Sequence, residues 1–176
     1  MKRAAPLSLI FALLFLLCAC GGKTPGKTAS SPEPVAAGFE NPGWPVFSVR
    51  PEDYGIVYDA ESVNRLSEYP LDKLMAYYLG ADGAYSVGAS AELYGRFIEA
   101  PRTVAACIAL LGDAALERGE PARDALCKAI AQEACYGGAG EFSQALEACR
   151  DAFPSGAAAK VLERLEEAWA ALERAS

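Results

Sequence analysis

The sequence predicts an all-α domain of five to six antiparallel helices, and three observations support this prediction. Apolar residues recur at intervals of three and four from residue 59 onward, which is the spacing of one face of an α-helix. Glycine and proline divide this region into segments of about 10–18 residues, the usual length of a helix in a folded domain. No segment alternates apolar and polar residues as half-buried strands do.

The first helical stretch covers residues 59–79 and is divided at Pro70, because proline ends a helix or occupies the first turn of a new one. The next helix has Ser90 as its predicted N-cap. It ends before Pro101, since a residue that precedes proline avoids the helical conformation. The apolar faces are formed by Val63, Leu66, Leu71, Leu74, Met75, Tyr78 and Leu79 in the first stretch and by Leu93, Tyr94, Phe97 and Ile98 in the second.

Four further helices are predicted between Pro101 and the end of the chain. Pro101 suits the first turn of one helix and Gly112 its end, and Pro121 begins the next. Pro154 ends the one after that. Their apolar faces are formed by Val104, Cys107, Ile108 and Leu111; by Leu126, Cys127, Ile130 and Ala134; by Phe142, Ala145, Leu146 and Cys149; and by Val161, Leu162, Leu165, Trp169 and Leu172.

Short connections between these helices favour antiparallel neighbours. A stacked array of helical hairpins, as in HEAT and armadillo proteins, is the first predicted architecture, and a closed irregular bundle is the second. The sequence contains no clear repeat of fixed period, which weakens the first prediction.

The first residues of the chain show the pattern of basic and apolar residues that targeting signals have. Lys2 and Arg3 precede an apolar run over residues 7–17; as a helix, this run spans roughly 16 Å, well short of the ~30 Å hydrocarbon core. It therefore indicates a signal peptide rather than a membrane-spanning helix. An ordinary secretory signal with an incidental cysteine is the alternative interpretation.

The run ends in Leu17-Cys18-Ala19-Cys20, which resembles the lipobox of bacterial lipoproteins, with a large aliphatic residue at −3 and a small one at −1. The resemblance implies cleavage before Cys20 and a lipid on its thiol, so that the membrane is a partner of the chain. It also implies an extracytoplasmic location on the cell membrane, or on the outer membrane of a cell with two, since Gly21 rather than aspartate follows the cysteine. The predicted domains are a signal peptide (1–19), a flexible Gly/Pro/Ser-rich stalk (20–47) and a helical domain (48–176).

Composition excludes several classes of function. The chain has a net charge of −7 and no histidine, which disfavours nucleic-acid partners and removes the commonest general base and transition-metal ligand. Residues 21–28 have the spacing of a phosphate-binding loop but lack the strand before it and the helix after it that the motif requires. We therefore predict no nucleic acid, no nucleotide, no cofactor and no metal.

Four cysteines lie in the predicted helical domain: Cys107, Cys127, Cys135 and Cys149. An even number in an exported protein suggests disulfides. Cys127 and Cys149 lie level if the helices on either side of the Gly137–Gly140 loop form an antiparallel hairpin, so a bond between them is predicted. In the alternative, all four are small buried thiols on apolar faces.

The function with the most support is a non-enzymatic, protein-binding module that contacts an envelope protein. Seven of the eight tyrosines lie between residues 54 and 94, and tyrosine is favoured at interfaces because it buries a large area at low entropic cost. The predicted interaction face consists of Arg65, Tyr69, Tyr77, Tyr85 and Tyr94. No catalytic residue is assigned.

Two other functions remain open. One is a cell-envelope enzyme that depends on carboxylates, centred on Asp82 and Glu92, whose carboxyl groups would have to lie about 5–10 Å apart. The other is a small-ligand or peptide-binding lipoprotein, which requires an apolar pocket between helices.

Overall fold

The structure, a computed structural model, describes residues 47–116 and 119–175. The regular secondary structure in these ranges is helical apart from one isolated bridge between Ala115 and Pro121, and turns and irregular segments connect the helices. The all-α prediction is confirmed. Two 3₁₀ turns (Pro51–Tyr54 and Leu66–Glu68) flank the first helix, and a π-helical turn (Ala134–Gly138) joins the fifth to the sixth. The α-helices are α1 (Ala60–Asn64), α2 (Leu71–Gly80), α3 (Gly83–Glu99), α4 (Pro101–Leu110), α5 (Ala122–Glu133), α6 (Ala139–Arg150) and α7 (Ala157–Ala175).

Local sequence signals set most of the helix starts. Asp59 accepts a hydrogen bond from the backbone N–H of Ser62 (2.7 Å), and the Ser62 hydroxyl accepts one from the Asp59 backbone (3.1 Å), which forms a capping box before α1. Pro101 lies in the first turn of α4, and Pro70 and Pro121 are the N-cap residues of α2 and α5. All three prolines therefore mark helix starts, as their positions predicted.

The start of α3 differs from the prediction. The helix begins at Gly83, after Asp82, and Ser90 lies buried inside it. The Ser90 Oγ is 2.6 Å from a carboxylate oxygen of Glu133 on α5, so the hydroxyl links two helices instead of capping one. Two glycines in the first turns of α3, at positions 83 and 88, concealed this start because glycine is a poor helix former.

The helices pack as an irregular bundle, the second of the two predicted architectures, rather than as a stacked array of hairpins. Helix α5 packs on α7, α3 and α2, and α4 packs on α7, α3 and α6. In a solenoid each repeat contacts only its neighbours, whereas here helices far apart in the sequence share one core. Ring contacts from Phe142 to Phe97 (5.7 Å between centroids) and to Trp169 (5.2 Å) join α6 to α3 and α7.

Within the described ranges, no helix combines the length and the apolar composition that a membrane crossing requires. The predicted signal peptide, the stalk up to residue 46 and the lipidation residue Cys20 lie outside the described residues.

Candidate functional site

The tyrosines in the first half of the domain pack on one another. The Tyr77 ring on α2 lies 4.8 Å from that of Tyr58 and 6.0 Å from that of Tyr69, measured between centroids. The Tyr58 ring in turn lies 5.8 Å from that of Tyr85 on α3. Tilted aromatic pairs at these distances stabilise a fold by about 0.5–1.5 kcal/mol each beyond the area they bury. The concentration of tyrosine thus produces an internal cluster that joins α2, α3 and the segment before α1.

Tyr77 is the centre of this cluster and has no exposed surface. Its hydroxyl lies 3.2 Å from the Ser62 Oγ, and its backbone carbonyl accepts a hydrogen bond from the Tyr58 hydroxyl (3.0 Å). Burial raises the pKa of Tyr58 to about 12. Tyr77 is therefore a core residue, and its assignment to an interaction face was wrong, because its ring and its hydroxyl both have partners inside the domain.

Tyr94 lies away from the cluster. It follows Tyr85 by nine residues on the same helix, which is about 14 Å along the axis, and its hydroxyl donates to the carbonyl of Gly138 (3.0 Å). Burial is the main cause of its raised pKa. Tyr94 joins α3 to the π-helical turn, so the five predicted face residues do not form one continuous surface.

Two of the five, Arg65 and Tyr69, do line the same depression, a groove of about 250 Å³. Val57 is 65% exposed at its rim, and the Lys73 ammonium lies 4.2 Å from the centroid of the Tyr69 ring. We call this depression the Tyr69 groove; it is lined by Gly55, Val57, Asp59, Glu61, Ser62, Arg65, Tyr69 and Lys73.

The charges of the Tyr69 groove are balanced. Arg65 pairs with Glu68 (2.8 Å) and more loosely with Glu61 (3.8 Å), and these carboxylates raise the pKa of the guanidinium. Because all three side chains are exposed, the pairs contribute little stability and remain free to rearrange. Lys73 is held by the face of the Tyr69 ring, a cation–π contact. The groove therefore combines an aromatic wall, an exposed aliphatic side chain and charges of both signs.

A second concave surface runs along the seam between α5 and α7. It consists of two adjoining depressions of about 540 and 370 Å³, which share Asp124, Arg164 and Glu167. Arg164 lies 3.7 Å from Asp124 and 2.9 Å from Glu167, so this cation is paired with carboxylates of the same surface. We call it the α5–α7 groove.

The carboxylates that the enzyme alternative requires are not brought together. Asp82 is exposed at the N-cap position of α3, where its side chain makes no capping hydrogen bond. Glu92 pairs with Arg96 (2.7 Å) on the same helix. Ten residues separate Asp82 from Glu92, which is roughly 15 Å along the helix axis. The two carboxyl groups therefore do not converge as the enzyme alternative would require.

The four cysteines of the described residues are free thiols. The predicted Cys127–Cys149 bond is not formed, because α5 and α6 do not make the hairpin on which it depended: α5 packs on α7 and α3, and α6 packs on α4. The Cys127 thiol points to the carbonyl of Val161 on α7 (3.8 Å). Cys107, Cys127 and Cys149 are buried, as in the alternative interpretation, whereas Cys135 is exposed on the π-helical turn.

No group of histidine, cysteine, aspartate and glutamate side chains that could hold a metal ion occurs in the described part of the chain. No family model, no curated protein and no solved structure matches the sequence.

Of the residues that line the Tyr69 groove, sequence reasoning assigned only Arg65 and Tyr69 to a site, and the residues it missed include Val57 and Lys73. Val57 precedes the cluster residue Tyr58 and gave no periodic signal, since it lies in an irregular segment before α1. Lys73 gave no helical signal either, because it lies in the first turn of α2 whereas Tyr69 precedes that helix with an extended backbone, so the four-residue spacing of a helix face does not apply to this pair.

Proposed function

We propose that the chain is a lipid-anchored, extracytoplasmic protein whose helical domain binds another envelope protein through the Tyr69 groove. The observation that carries the proposal is the placement of Val57, 65% exposed, beside the aromatic wall of that groove. Tyrosine and arginine are enriched at protein–protein contacts, and here Tyr69 and Arg65 line the same groove as this exposed apolar side chain.

The lipid anchor is supported by the residues at the start of the chain. A basic pair, an apolar run too short to span a bilayer and the Leu17–Cys20 motif form the lipoprotein signal. Metabolic labelling with an alkyne fatty acid, followed by mass spectrometry of the N-terminal peptide, tests it. We expect labelling at Cys20 that Cys20→Ser abolishes and Cys18→Ser preserves. An unlabelled chain that begins at another residue would contradict the anchor.

The binding role is supported by the way the groove is held in shape. The Tyr69 ring contacts the buried Tyr77 ring, and the Lys73 ammonium lies over it. An aromatic side chain that is already fixed loses little entropy when a partner covers it. Arg65 adds a guanidinium whose exposed ion pairs can exchange for a carboxylate on the partner.

Crosslinking in intact cells, affinity recovery and mass spectrometry test the binding role, and the chain offers a matched pair of variants. Val57 and Val87 are each 65% exposed, but only Val57 lines the Tyr69 groove. We expect Val57→Glu to weaken the affinity by ~10-fold or more, about 1.4 kcal/mol, and the yield of one dominant crosslinked protein to fall with it.

Val87→Glu serves as the control, since it places the same charge on α3 outside the groove. Circular dichroism should be unchanged in both variants. Equal loss of yield in the two variants would place the contact elsewhere or show a general effect of charge. Recovery of only scattered proteins from the unmodified chain would contradict the binding role itself.

A further inference from the structure

We draw no further inference here: the strongest candidate, the α5–α7 groove around Asp124, Arg164 and Glu167, pairs Arg164 with the carboxylates of its own walls, and nothing in the structure shows what covers it.

Discussion

A side chain at Gly138 would collide with Tyr94, so replacing this glycine with alanine measures how tightly the π-helical turn is held against α3. A Cβ built at this position lies 1.8 Å from the Tyr94 hydroxyl oxygen and 2.7 Å from its Cζ. The backbone itself permits alanine, since φ is −103°. The cost therefore comes from displacing the Tyr94 side chain. The Tyr94 hydroxyl also donates a hydrogen bond to the Gly138 carbonyl (3.0 Å), which this displacement would break. Overpacking costs about 1–3 kcal/mol and the lost hydrogen bond about 0.5–1.5 kcal/mol.

We expect Gly138→Ala to lower the free energy of unfolding by about 1.5–4.5 kcal/mol, the sum of these two effects. Urea denaturation followed by circular dichroism measures this change. Gly140→Ala is the matched control, because a Cβ there meets nothing within 4 Å and the residue lies in α6. That variant should be neutral or up to about 1 kcal/mol more stable, since alanine is the better helix former.

The double variant Tyr94→Ala/Gly138→Ala separates the collision from other effects of the alanine. Removal of the ring removes the collision, so Gly138→Ala should cost less than about 1 kcal/mol in the Tyr94→Ala background. The difference between the cost of Gly138→Ala with and without the Tyr94 ring is the coupling energy of the two positions. If Gly138→Ala is as stable as the unmodified chain, or costs the same with and without the Tyr94 ring, the reasoning is refuted.

Three further predictions follow from burial. Tyr77→Ala should destabilise the domain by about 3–5 kcal/mol, since the ring is fully buried; a urea midpoint near that of the unmodified chain would contradict the core assignment. Iodoacetamide should label Cys135 in the folded, reduced protein at least ~100-fold faster than the buried thiols, and peptide mass spectrometry reads each site. Burial raises the pKa of Cys107 and Cys127 to about 12 and of Cys149 to about 11, from 9.0. The full stability should therefore be present below pH 9 and fall as the pH rises toward 11–12, because the unfolded chain releases these protons first; a urea midpoint that stays constant from pH 8 to pH 10.5 would contradict this.

The helices were predictable where strong local signals agree. The capping residue Asp59 and the prolines at positions 70, 101 and 121 mark helix starts that the structure contains. The start of α3 was missed because glycine and small residues dominate its first turns, and here the packing of the helix against its neighbours outweighs propensity.

Tyrosine is harder to place, because its ring suits a core and an interface equally well. The burial of Tyr77 did have a signal in the sequence: every residue from Leu74 to Leu79 is apolar or aromatic, and a helix that is apolar all round is a buried one. Tyr69 has no such neighbours, since Glu68 and Pro70 flank it. Neighbouring residues therefore separate the two tyrosines better than the overall tyrosine content does.

The cysteine pairing failed for a reason that also limits any prediction of the site. A glycine-rich connection such as Gly137-Gly138 shows that a helix is interrupted, and Gly137 does take a left-handed φ of 136°. It does not show which helices will pack together, because that depends on every apolar face in the bundle at once. Arg65 and Tyr69 lie at the two ends of the short 3₁₀ turn Leu66–Glu68, so the chain itself brings them near one another, whereas Val57 reaches the same groove through the fold of an irregular segment. The sequence therefore predicts those site residues that are neighbours along one short stretch, whereas residues that join the site through an irregular segment are found only in the packed structure.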